Sequence, residues 1–167
     1  MNAKEQIRAQ MHNMRKGCKQ DEGSIINNLC DIIATMPHKS LGLYYPMADE
    51  IDVRSLFKKF DNLSLPIFHQ NVFYFGKFDM LCDMVKNHWG FTEPKDFFCV
   101  NPEVIVVPGL AFDLCGSRLG RGKGHYDQYL STHKDIVSVG ICFEYQIVET
   151  LPQEEHDQKI NYLIRYK

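Results

Sequence analysis

Apolar residues along the chain fall into two repeating patterns. Between residues 4 and 15, Ile7, Met11 and Met14 are spaced four and three apart, so they share one face of a helix. Over residues 21–35, Ile25, Ile26, Leu29, Ile32, Ile33 and Met36 follow the i, i+1, i+4, i+7, i+8, i+11 series of a second, more apolar helix. Pro37 closes it. Residues 41–45 predict a short strand stopped by Pro46, and Val53, Leu56, Phe57 and Phe60 predict another helix. Residues 65–68 and 72–75 read as two strands of a hairpin turning through His69, Gln70 and Asn71. Residues 77–100 carry no clear period. Val104–Val107 is a continuous apolar, β-branched run before Pro108 and Gly109, the mark of a strand buried on both faces. Residues 126–133 predict a helix, and 136–141 and 162–166 predict strands. Helices alternating with apolar strands imply an α/β fold around a mostly parallel sheet, a single domain over residues 1–167. Ligands of such sheets lie beyond the carboxyl ends of the strands, which directs attention to the segment after Val107.

That segment concentrates glycine and positive charge. Five of the 11 glycines fall between residues 109 and 124, and Gly120, Gly122 and Gly124 alternate with Arg121 and Lys123. Alternating glycines admit positive φ and let backbone N–H groups turn toward an anion. Arg118, Arg121 and Lys123 add three cations, with no acid between Leu114 and His125. A helix starting near Tyr126 would aim the positive end of its dipole at the same place. These features fit a phosphate or polyphosphate site, and also a basic turn between strand and helix. Asp127, in the first helical turn, fits a Mg²⁺ ligand and equally an acid complementing the dipole. The loop is not a Walker A motif, because Gly124 follows the lysine, and its GxGxG spacing is not the dinucleotide fingerprint.

Composition narrows the classes. Lys and Arg total 19 against 21 Asp and Glu, a net charge of −2, which argues against a general nucleic-acid binder. No apolar run approaches the roughly 20 residues of a membrane span, and the N-terminal segment lacks the apolar stretch of a signal peptide. A cytoplasmic protein that binds neither membrane nor nucleic acid is expected, as a monomer or weak homo-oligomer. The six cysteines (Cys18, Cys30, Cys82, Cys99, Cys115 and Cys142) are scattered without a CxxC pair, so reduced thiols are expected rather than disulfides or zinc.

The stretch from Val104 to Leu130 resembles the 5-formyltetrahydrofolate cyclo-ligases, also called 5,10-methenyltetrahydrofolate synthetases. The carriers are an apolar strand, Pro-Gly, Ala-Phe-Asp, and then G-x-R-L-G-R-G-K-G-x-Y-D-x-Y-L. Further matches are Lys4 to Arg8, Tyr45-Pro46-Met47-Ala48-Asp49-Glu50, Trp89-Gly90-Phe91-Thr92-Glu93-Pro94, and Glu155-His156-Asp157. The resemblance is weakest over residues 61–86. It implies a Rossmann-like three-layer fold of cyclo-ligase type. It also implies ATP- and Mg²⁺-dependent closure of 5-formyltetrahydrofolate, with or without a polyglutamyl tail, to 5,10-methenyltetrahydrofolate. Arg121 and Lys123 would act in catalysis. Lys4, Arg8, Arg118, Gly120, Arg121, Gly122, Lys123, Gly124, His125 and Tyr126 would hold the nucleotide. Arg8, Tyr45, Glu50, Trp89, Arg121, Lys123 and Tyr126 would meet the folate, and Asp127 with Asp157 would hold Mg²⁺. His125 departs from the family, which usually has Tyr there.

Read without the resemblance, several of these residues have ordinary explanations. Lys4, Arg8, His12 and Arg15 form one basic helical stripe, which is usually a solvated face. Glu50 and Asp157 read as surface acids, Trp89 as a packing anchor, and His156 as structural. Two other functions stay open at this level. One is a phosphate-binding α/β enzyme of another class, such as a sugar-phosphate isomerase. The other is a non-catalytic folate- or nucleotide-binding protein.

Overall fold

A computed structural model of the chain describes residues 2–17, 21–37 and 39–166. Cys18 lies outside these. The helices are α1 (Ala3–Gly17), α2 (Glu22–Thr35) and α3 (His125–Thr132). The first strands are β1 (Leu41–Gly42), β2 (Leu63–His69), β3 (Val72–Lys77), β4 (Met84–Lys86), β5 (Thr92–Pro94) and β6 (Cys99–Val100). They are followed by β7 (Val104–Val107), β8 (Ala111–Phe112), β9 (Arg118–Leu119), β10 (Val137–Phe143) and β11 (Tyr162–Tyr166).

Seven strands form the central sheet in the order β11-β10-β7-β1-β2-β3-β6. The pairings from β11 across to β2 are parallel; β3 and β6 add antiparallel to one edge. β4 pairs with β5, and β8 with β9, as separate two-stranded ribbons. The layers follow from β7. Val104 and Val106 join the core beneath α2, whereas Ile105 and Val107 pack with Tyr126, Tyr129 and Leu130 of α3. Alternate side chains of one strand thus feed two cores, which is why the run is apolar throughout.

Helix α2 forms as its pattern demands. The Asp21 carboxylate caps it, accepting the Gly23 and Ser24 backbone N–H groups, and Ile25, Ile26, Leu29 and Ile33 are buried against the sheet. Truncating one such side chain to alanine costs about 2–5 kcal/mol.

Three sequence expectations change in detail. The strand predicted over 41–45 pairs in the sheet only at Leu41 and Gly42, although the Leu43 N–H still reaches the Ser64 carbonyl. The helix expected around Val53 to Phe60 is a five-residue 3-10 turn, Arg54–Lys58, because the chain must return to start β2 at Leu63. The predicted hairpin is present and longer, and Gln70 and Asn71 both take positive φ, the conformation a tight two-residue turn requires.

The topology fixes where a ligand can lie. From β1 the chain continues to β2 on one side; from β7 it continues to β10 on the other. Neighbouring parallel strands whose connections diverge leave a crevice at their carboxyl ends.

Candidate functional site

The crevice is a cavity of about 250 Å³. Every site residue expected from the sequence lies on its wall. Lys4 and Arg8 come from α1, Tyr45 and Glu50 from the segment after β1, and Trp89 from the β4–β5 turn. Arg118, Gly120, Arg121, Gly122, Lys123, Gly124, His125, Tyr126 and Asp127 come from β9, the glycine loop and the start of α3. Asp157 comes from the segment before β11. The sequence reading missed Tyr44, Met47, Phe73, Phe91, Glu154 and His156, which also line it. Apart from Phe73, each lies within or next to one of the family motifs. Only folding shows that they face inward.

The glycine loop has the backbone its composition suggested. Gly122 and Gly124 sit at φ +94° and +67°, and Gly124 is the N-cap of α3. Arg8 crosses from α1 to donate its Nε–H to the Gly120 carbonyl at 3.0 Å. Gly120 is required for a different reason: a Cβ there would stand 2.7 Å from an Arg118 Nη1. The Arg118 side chain is only 4% exposed. It donates to the Pro108 carbonyl at 3.2 Å and to Asp127 at 3.0 Å, and lies over the Tyr126 ring. One arginine therefore ties the end of β7 to the first turn of α3.

The charges of the cavity are unevenly satisfied. Lys4 pairs with Asp157 at 2.6 Å and Glu154 at 2.9 Å. Arg121 pairs with Asp49 and, at 3.3 Å, with Glu50. Among the described residues Arg8 and Lys123 have no carboxylate partner; Lys123 instead sits 5.1 Å above the Trp89 ring. Theirs is the cavity charge that no carboxylate among the described residues already offsets.

The carboxylates differ in kind. Burial pushes Glu50 above the usual carboxylate range, with Asp49 adding to it, against the opposing pull of the Met47 N–H and Arg121. For Asp157, burial is outweighed by the Lys4 ammonium and the Glu154 N–H, which hold it low. Lys4 is raised, since its contacts with Asp157 and Glu154 exceed the effect of burial.

Ligand atoms of Glu154, His156 and Asp157 lie within 4.8 Å of one another. Asp127 accepts Arg118 on Oδ2 and the Gln158 N–H on Oδ1. A carboxylate has about four lone-pair sites, so both aspartates keep hard-oxygen capacity that suits Mg²⁺.

Part of the wall is aromatic. The His125 imidazole meets Phe68 edge-on at 4.7 Å, stacks parallel to Phe73 at 6.0 Å, and has Trp89 and Phe91 at 6.0 and 6.3 Å. Burial and then the neighbouring Lys123 lower its pKa, favouring neutral imidazole. A flat apolar ligand group fits beside a polyanion here, since aromatic side chains, cations and the glycine loop line one cavity.

Comparison with known proteins points one way. The model of the 5-formyltetrahydrofolate cyclo-ligase family matches residues 1–165. The 5-formyltetrahydrofolate cyclo-ligase of Haemophilus influenzae is 29% identical over 173 residues, spanning 92% of each chain. The 5,10-methenyltetrahydrofolate synthetase of Aquifex aeolicus superposes with a TM-score of 0.81 at 28% identity, covering 98% of this chain and 90% of that one. The Mycoplasma pneumoniae 5,10-methenyltetrahydrofolate synthetase shares the fold, with a TM-score of 0.76 at 19% identity and 98% of each chain covered.

Proposed function

This chain belongs to the 5-formyltetrahydrofolate cyclo-ligase family, and from that membership we propose that it closes 5-formyltetrahydrofolate to 5,10-methenyltetrahydrofolate in the β1/β7 crevice, using ATP and Mg²⁺. The observation that carries the use of ATP is the pairing of Arg8 and Lys123, both without carboxylate partners, with a positive-φ glycine loop at the start of α3. Backbone N–H groups, a helix N-terminus and cations not offset by a carboxylate together suit a triphosphate.

The chemistry sets the demand. A formamide oxygen is a poor leaving group. Transfer of the γ-phosphoryl group to it releases ADP and leaves an imidate-type phosphate. The substrate's N10 then attacks the formyl carbon and loses its proton as inorganic phosphate departs. Ring closure is intramolecular, so the protein's task there is orientation. Lys123, Arg121 and the loop amides would steady the negative charge that shifts during phosphoryl transfer. Lys4 and Arg8 would hold the other phosphates, with Arg8 also near the folate. Arg118 joins the nucleotide site by bracing Asp127 and Tyr126, and Gly120 leaves room for it. Glu50 would accept the pterin's ring and amino N–H groups, with Tyr45 beside the ring. Trp89 would stack on the flat substrate, and His125, expected at the nucleotide, would border it from its place among Phe68, Phe73 and Trp89. Asp127 and Asp157 would hold Mg²⁺, which would supply charge neutralisation for the phosphates.

The test is spectrophotometric. Purified protein with 5-formyltetrahydrofolate and Mg-ATP should generate the near-ultraviolet absorbance of the methenyl product, and omitting ATP should abolish it. Product formed at the same rate without nucleotide would overturn the ATP-driven reading.

A further inference from the structure

We propose that Asn87 and Glu93 are positioning residues that set the aromatic wall of the cavity by fixing the turn that carries Trp89 and Phe91. The proposal rests on the folate reading for its catalytic consequence, and on the geometry alone for the positioning itself.

The turn joins two strands of only three residues each, too short to hold a shape by pairing alone. A side-chain relay supplies the missing order. The Asn87 Oδ1 accepts the Trp89 N–H at 3.0 Å and the Phe91 N–H at 3.1 Å. Its backbone closes the same turn, with Asn87 N–H to the Phe91 carbonyl at 2.9 Å and Gly90 N–H to the Asn87 carbonyl at 3.0 Å. Gly90 takes φ +86°, as such a turn requires. The Asn87 Nδ2 then donates to Glu93 Oε2 at 2.8 Å. That same oxygen accepts the Phe68 N–H at 2.9 Å. β1 ends at Gly42, so the far end of β2 has no strand on its β1 side, and Glu93 supplies an acceptor there.

Glu93 is a buried carboxylate that takes no part in the chemistry above. It connects the central sheet, through Phe68, to the turn. All three aromatic side chains governed by this relay, Phe68, Trp89 and Phe91, contact the His125 ring. Trp89 also carries Lys123 over its face. A shift of the turn would therefore move a stacking surface and the Lys123 ammonium together.

Trp89 is the only tryptophan, so its emission reports the turn directly. Asn87→Asp keeps the acceptor for Trp89 and Phe91 but faces Glu93 with a second carboxylate. It should red-shift Trp89 emission in the ligand-free protein and raise the KM for 5-formyltetrahydrofolate about tenfold, the scale of one disturbed aromatic contact. kcat should fall less. Adding Glu93→Gln removes the second carboxylate, but one Glu93 oxygen serves both residue 87 and the Phe68 N–H, so the amide satisfies one side only and the double variant should recover part of the emission shift and of the KM rise. Should Asn87→Asp fail to fold, Asn87→Ala is read by the same emission shift. Unchanged emission and KM in a folded Asn87 variant, or a folded double variant that stays as impaired as the single one, would overturn the proposal. An emission shift partly reversed by the second substitution, in a protein with no folate turnover, would uphold the positioning and overturn the folate reading.

Discussion

Replacing Arg118 with methionine tests the structural centre of the site. The side chain is 4% exposed and its partner Asp127 13%. The substitution removes the 3.0 Å ion pair, the 3.2 Å hydrogen bond to the Pro108 carbonyl and the contact with Tyr126, while roughly preserving the apolar stem. Breaking a buried pair from one side costs about 3–5 kcal/mol, because the remaining charge is left uncompensated. The lost cation–π contact adds about 0.5–1 kcal/mol. Urea unfolding should therefore show a loss of about 4–6 kcal/mol with an unchanged m-value. Combining Arg118→Met with Asp127→Asn removes the orphaned charge, so the double variant should be more stable than Arg118→Met alone. A loss under about 1 kcal/mol, or a double variant as unstable as the sum of the singles, would refute this reasoning.

Three further outcomes follow from the charges of the cavity. Lys123→Ala should lower kcat about 10²–10³-fold, the usual scale for a lost charge-stabilising donor, while urea stability stays within about 0.5 kcal/mol. Glu50 has a raised pKa, so protonating it favours the native state: that stabilisation is complete below the unfolded carboxylate pKa and is lost as pH rises through the folded value. Glu50→Gln should therefore be at least as stable as wild type at pH 7, the difference should vanish in acid, and the KM for the folate should rise; a destabilised variant at pH 7 would contradict this. Chelating divalent cations should abolish turnover and leave far-ultraviolet circular dichroism unchanged, with Mg²⁺ restoring the rate.

Long periodic segments were legible in the sequence. α2 and β7 followed from their apolar spacing alone, because burial on one helical face or on both strand faces leaves a clear pattern. β4, β5 and β6 did not, since two or three residues are too few to carry a period. The stretch around Val53 matched a helical spacing yet closes as a 3-10 turn, where the short distance to β2 overrides local preference. The glycine loop stood out through composition. Its partners did not: that Arg118 is spent on Asp127 depends on how the glycine loop turns into α3, and that Lys4 is spent on Asp157 depends on α1 meeting the segment before β11. Asp49 was visible only as part of a motif, and its pairing with Arg121 emerges on folding.

The most direct measurement is a crystal structure with 5-formyltetrahydrofolate and a non-hydrolysable ATP analogue. The phosphates should lie against Arg8, Lys123 and the amides of residues 122–124, with the pterin facing Glu50. A triphosphate bound elsewhere on the molecule, leaving the glycine loop open to solvent, would contradict the proposed use of the crevice.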